Sequence, residues 1–149
     1  AYAIDNPKKH TDYGAKLWGF TSSDDPMAGY SSHHPGTDAD NGTVSPTAAL
    51  SSIVYTPEES LEVLRYLYFE KGKMLFGKYG FYDAYNPGMV EGQQTVKSYL
   101  AIDQGPIAVM IENYRSGLLW KLFMNNAEIR QGLQKLGFTI KTNQSNKLN

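Results

Sequence analysis

Apolar positions along this chain fall into helix-like stretches separated by long polar ones. Behind Thr56-Pro57-Glu58-Glu59, the residues Leu61, Leu64 and Tyr68 recur at helical spacing and predict a helix that Gly72 ends. Thr56 is placed as N-cap, Pro57 at the first helical position and Glu59 at the third, the arrangement of a capping box. Further on, Ile107, Met110, Ile111 and Tyr114 fall at i, i+3, i+4 and i+7. Ala108 and Val109 leave that helix little polar face, which predicts burial nearly all round. Two more helical stretches follow, 118–125 and 126–136. The second carries Ile129, Leu133 and Leu136 as a stripe and is stopped by Gly137. The short run Ile53-Val54-Tyr55 suits a strand, but no series of strands is visible. The expected class is all-α with long loops.

The polar stretches are 21–46, 77–92 and a tail from 141. The first is about 26 residues long, well beyond an ordinary connection. Loops of that length in a compact domain are functional or disordered, and the aromatic residues here favour function. Residues 1–17 read as the end of an element that began earlier. The organisation expected is therefore one domain over 1–140 and a polar, frayed tail over 141–149.

The most informative segment is 99–126, YLAIDQGPIAVMIENYRSGLLWKLFMNN. A helix apolar enough for a core opens on Asp103-Gln104-Gly105-Pro106 and closes on Glu112-Asn113-Tyr114-Arg115. Ionisable groups at the ends of a buried helix are costly unless paired or used. Asp103 is expected as the N-cap, with Pro106 in the first turn. Glu112 and Arg115, spaced i, i+3, form a local pair. They stand roughly 13 Å from Asp103 along the axis, so one sugar ring cannot touch both ends. The Asp103 end is favoured as the chemical one.

Composition narrows the chemistry. With 149 residues and 41% hydrophobic positions the chain can bury a core. Fourteen basic against 15 acidic residues leave a net charge of −1 and no basic block, so nothing points to nucleic acid. No apolar run is long enough to span a membrane. Cysteine is absent, which removes thiolate chemistry and disulfides and fits a periplasmic or secreted protein whose signal lies outside this chain. His33-His34 is an isolated pair that points apart, so no metal and no cofactor is expected. What remains is carboxylates, amides and aromatics. Tyr79 to Asn86 is an aromatic loop around Tyr82 and Asp83. Trp18 to Asp24 is a second one, holding Phe20. Asp40-Asn41-Gly42-Thr43 is a turn that can also place Asn41 in a pocket. Glu58 and Glu59 are explained by the helix dipole. Asp83 is either a turn former or a hydroxyl acceptor beside a sugar platform. Glycoside hydrolysis needs two carboxyl groups about the scissile bond, and these loops can supply at least one.

The blocks WGFTSSDDP from Trp18, DNGTVSPTAALSS from Asp40, YTPEES from Tyr55, GKYGFYDAYNP from Gly77 and AIDQGPIAVMIENYRSGLLWKLFM from Ala101 resemble the bacterial glucoamylase-like (glycoamylase) domain family. That family is similar to the endo-β-1,2-glucanases of glycoside hydrolase family 144 and to a domain of cyclic β-1,2-glucan synthases. The resemblance implies an (α/α)6 toroid of which this chain is the C-terminal part. It implies hydrolysis of a β-linked glucan with inversion, and a general acid in the N-terminal part of the same domain, which would be a partner of this chain alongside the oligo- or polysaccharide. Candidate catalytic residues are Asp103, Asp83 and Asp24. Candidate substrate-binding residues are Trp18, Phe20, Asn41, Tyr82, Gln104, Glu112, Asn113 and Arg115. The alternatives are a non-catalytic carbohydrate-binding domain and a glucan-processing domain of cyclic β-1,2-glucan metabolism.

Overall fold

The structure, a computed structural model, describes residues 1–139, so the expected polar tail at 141–149 lies outside the described residues. A short α1 (Tyr2–Asp5) leads into loop, then a hairpin of β1 (Ser23–Asp25) and β2 (Gly29–Ser31). α2 (Pro46–Leu50) runs directly into a 3-10 turn at Ser51–Val54. α3 (Pro57–Arg65) widens into a π-helical turn at Tyr66–Glu70 and is followed by α4 (Gly72–Leu75). A second hairpin joins β3 (Phe76–Gly77) to β4 (Gly80–Phe81). After a long coil come α5 (Ala101–Ser116), α6 (Leu118–Asn125) and α7 (Ala127–Lys135).

The chain is mainly helical, as its pattern predicts, with two small antiparallel hairpins added. The first exists because Asp25 turns the chain: its Oδ1 accepts from the amides of Met27 and Ala28 at 2.6 and 3.0 Å. Ile53 and Val54 are helical rather than strand. The buried face of α3 is Ser60 and Val63, continued by Leu67, while Tyr68 is exposed on the π-helical turn, where the wider winding shifts the register. Thr56 sits at the N-cap of α3, but its hydroxyl donates to the Ser52 carbonyl at 3.3 Å and no capping box forms.

The core lies where α2, α3 and the two long loops meet. Leu17, Val44, Ala49, Leu50, Val63, Leu67, Leu75, Phe81 and Tyr85 are buried together. α5 rests on α2 and the 3-10 turn with one side only. The expectation of a helix buried nearly all round is overturned, and in an unexpected sense. The fully buried residues of α5 are polar, Asp103 and Asn113, while Ile102 and Val109 are exposed. The apolar surface continues over α6 through Leu118, Trp120, Leu122 and Phe123, all exposed.

Candidate active site

α5 begins two residues before Asp103, with Leu100 as its N-cap, so Asp103 is not the cap but the third residue of the helix. A first-turn carboxylate gains from the helix dipole only if solvated or paired. Asp103 is 7% exposed, and one of its oxygens, Oδ2, is fully buried with no donor. Asp83 is in the same position: it is 1% exposed and its Oδ1 has no donor. These two carboxyls face each other. Burial, then hydrogen-bond contact with Asp83, then the Asp83 charge, push the Asp103 pKa up to about 6. With both groups ionised neither oxygen has a donor; a single proton between them supplies one. The Asp103 carboxyl therefore takes up its proton at higher pH than a free aspartate does.

The second oxygen of Asp83 has a donor. Its Oδ2 accepts from the Asp24 amide at 2.6 Å, which ties the Asp83 carboxyl to β1. Asp24 thus reaches the site through its backbone. Its side chain shares a strand face with Tyr30, its cross-strand partner. Asp103 opens onto a cleft of about 540 Å³ whose walls include Phe20, Thr21, Ser22, Tyr30 and Ser51. Phe20 is held edge-on by Tyr13 at 5.6 Å and Tyr2 at 5.8 Å between ring centroids. Pro106 lies in the second turn of α5, not the first, and lacks the N–H that would bond the Ile102 carbonyl. Ile102 lines the same cleft. The cleft combines aromatic faces, hydroxyls and a carboxyl whose pKa is raised, a set suited to a sugar.

The other expected residues are placed elsewhere. Trp18 is half-buried against the core. Asn41 binds Asp25 Oδ2 through Nδ2 at 2.9 Å and receives the Thr43 amide on Oδ1 at 3.1 Å, a turn-fixing role. Tyr82 lines a separate small hollow with Lys73, Met74 and Gln94. Gln104 donates to the Phe81 carbonyl at 2.8 Å, tying α5 to the β3–β4 hairpin rather than facing the cleft. Glu112 and Arg115 form a surface pair at 3.3 Å, with Arg115 73% exposed. Asn113 accepts from the Trp120 amide at 3.2 Å and so satisfies the start of α6. Asp25 was not among the expected site residues, yet it is a buried hub. Burial pushes its carboxyl up, but bonds from Thr43, Asn41, Met27 and Ala28 outweigh burial and hold it below the usual range. His33, buried beside it, has Nε2 at 3.6 Å from Asp25 Oδ2, while His34 is exposed. The larger hollow of the molecule, about 940 Å³, lies between α3, the second hairpin and the far flank of α5. Leu61, Leu64, Tyr68, Phe69, Ile107 and Ile111 line it, and no carboxylate is among its lining residues.

The "Putative glucoamylase" (glycoamylase) family model matches residues 1–127. The chain belongs to the glycoamylase family. It is 41% identical over 135 residues to the exo β-1,2-glucooligosaccharide sophorohydrolase (non-reducing end) of Parabacteroides distasonis, covering 91% of this chain and 18% of that protein. It also matches a crystal structure of a "putative glucoamylase" from Bacteroides uniformis, 57% identical with a TM-score of 0.84, over 93% of this chain and 32% of the other. The endo-β-1,2-glucanase of Chitinophaga pinensis, in complex with sophorotriose and glucose, is 51% identical with a TM-score of 0.84, over 91% of this chain and 31% of that one. The glycoamylase chain described here thus spans about a third of these two solved relatives and less than a fifth of the curated one.

Proposed function

We propose that this chain forms one wall of the catalytic cleft of a β-1,2-glucan hydrolase, and that Asp103 is the carboxylate that activates water. The observation that carries the reading is the buried Asp83–Asp103 pair at the mouth of an aromatic and hydroxyl-lined cleft, in a chain whose family includes β-1,2-glucan hydrolases. Separation decides the division of labour. The two carboxyls of a glycosidase stand about 5–5.5 Å apart when retaining and about 6.5–9.5 Å when inverting. Asp83 and Asp103 act on each other closely enough to raise the Asp103 pKa, so they are read as neighbours on one side of the scissile bond and not as the two groups that flank it. They are one pole of the site, and the general acid comes from the rest of the intact protein.

In this mechanism ionised Asp103 accepts a proton from a water molecule as the water oxygen bonds the anomeric carbon. The external acid protonates the departing glycosidic oxygen, and the product carries the inverted configuration. Asp83, tied to β1 by the Asp24 amide, helps raise the Asp103 pKa and so makes Asp103 a stronger base than a free aspartate. Phe20 and Tyr30 offer faces to the glucose rings. The rest of the polypeptide completes an (α/α)6 toroid by packing helices on the apolar hollow and on the open flank of α5 and α6.

The test is reducing-end release from β-1,2-glucan by the intact protein and by its Asp103→Asn variant, with the anomer of the first product read by proton NMR. Release that falls at least about a thousandfold in the variant supports the reading. No release by the wild type, or binding of glucan without cleavage, overturns it in favour of a carbohydrate-binding role.

A further inference from the structure

Ser45 and Thr47 stand two residues apart on one short segment, and each grips the backbone of a different member of the carboxyl pair. Ser45 Oγ donates to the Asp83 carbonyl at 2.7 Å. Thr47 Oγ1 donates to the Asp103 carbonyl at 2.6 Å. Both residues are buried, at 1% and 6% exposure. Asp83 and Asp103 are 20 positions apart in sequence and sit on different elements, a loop and the first turn of α5. We infer that Ser45 and Thr47 are positioning residues: they form a yoke that sets how closely the Asp83 and Asp103 carboxyl groups meet. The inference rests on the function proposed above only for its effect on turnover.

The yoke is stiff. Val44 and Tyr85 exchange both of their backbone hydrogen bonds, each at 2.9 Å, which fixes the segment against the loop carrying Asp83. The Ser45 amide donates to Gly19 at 2.9 Å. Gly19 is required there: its φ is +141°, and a Cβ would come within 2.5 Å of the Ser45 carbonyl. Pro46, between the two hydroxyls, locks its own φ and opens α2. Beneath, Thr43 bridges to the Asp25 hub at 2.6 Å and receives Asn86 at 3.0 Å. Neither hydroxyl touches a carboxyl group. Each acts on a main-chain carbonyl, so its leverage on the pair is one of position. Asp83 is the charged group that acts on Asp103 across the gap, and the Asp24 amide is the polar group set against Asp83 from β1. A displacement of about 1 Å at such a site costs as much as a hundredfold in rate.

The experiment titrates the intact protein with 13C-labelled aspartate carboxyls, the pair being assigned by the signals lost in Asp103→Asn. The probes are Thr47→Val, which removes the hydroxyl and keeps the shape, Thr47→Ser, which keeps the hydroxyl, and Ser45→Ala. The upper titration step of the pair is expected to fall by about 0.5 or more in Thr47→Val and in Ser45→Ala, and to hold in Thr47→Ser. On β-1,2-glucan, kcat is expected to fall about tenfold in Thr47→Val with KM within about twofold, and the acid limb of the pH profile to move with the titration. Unchanged titration in both Thr47→Val and Ser45→Ala overturns the yoke, even if either variant melts earlier. An equal shift in Thr47→Ser overturns it too. If Thr47→Val does not fold, Ser45→Ala decides. A wild type that does not cleave the glucan sinks the proposed function, while the titration still judges the yoke.

Discussion

The two ends of α5 carry the same kinds of residue and do opposite things. At its start, Asp103 is buried against Asp83, with an oxygen that has no donor and a pKa pushed up to about 6. At its end, Glu112 meets Arg115 at 3.3 Å in solvent, and Ser116 Oγ adds a bond to Glu112 at 2.7 Å. The second arrangement is complete and cheap, worth well under about 1 kcal/mol. The first is incomplete and costly. An ionisable residue marks chemistry when its surroundings leave it unsatisfied, not merely when it sits at a helix terminus.

The largest effect that would break this comparison is on turnover. In the intact protein, Asp103→Asn is expected to lower kcat on β-1,2-glucan by about a thousandfold or more. Glu112→Gln and Arg115→Ala are expected to stay within about twofold. Comparable losses at both ends would erase the distinction.

Next comes pH. A base must be ionised to act, so log(kcat/KM) is expected to rise with pH through about 6, the value to which Asp103 is pushed. In Asp83→Asn both the neighbouring charge and its pull on the shared proton are gone, so that limb is expected to move to lower pH. A limb that stays in place would show that the pair does not act as a unit.

Stability is the third arm, with a definite sign. The folded pKa of Asp103 lies above its ordinary value of 3.8, so the folded state binds the proton more tightly than the unfolded one. That contribution is fully present below about pH 4 and is lost as pH rises to about 6. Asp103→Asn, whose amide can donate to Asp83, is therefore expected to stabilise the protein at pH 8 by about 1–3 kcal/mol and to do less at pH 4. Thermal melts at the two pH values check this. The smallest effects belong to the cleft wall and the far end. Tyr30→Ala is expected to raise KM a few-fold with little change in melting, since Tyr30 is 59% exposed. Arg115→Ala is expected to shift stability by less than about 0.5 kcal/mol in a chemical-denaturation series.

Much of this was legible in the chain before folding. Helical periodicity placed α3, α5, α6 and α7, and Gly117 and Gly137 fall at their ends with φ of +67° and +83°. Asp103 and Asp83 stood out because a carboxylate beside a buried helix or inside an aromatic loop needs a reason. Their mutual contact was not legible, because nothing local links positions 83 and 103. The role of α5 was misread for a physical reason: apolar residues all round a helix say only that neighbours will cover it. Here Ile102 and Val109 remain exposed, as do Leu122 and Phe123 of α6. Gln104 Nε2 and Asn113 Oδ1 bond backbone groups of this chain, Asn41 bonds the Asp25 carboxyl and the Thr43 amide, and Asn113 Nδ2 stays buried without a partner. Such bonds depend on which carbonyl or amide arrives, which spacing does not encode. Ser45 and Thr47 gave no signal beyond a helix start. Tyr30 offered one, an aromatic across a turn from Asp24.

The most direct measurement of the central claim is reducing-end release from β-1,2-glucan by the intact wild type, Asp103→Asn and Glu112→Gln across pH 4–8. The expected result is a wild-type and Glu112→Gln rate that climbs through about pH 6, and an Asp103→Asn rate that is about a thousandfold lower and flat in that range. Asp103→Asn turning over at the wild-type rate, with the same acid limb, would contradict it.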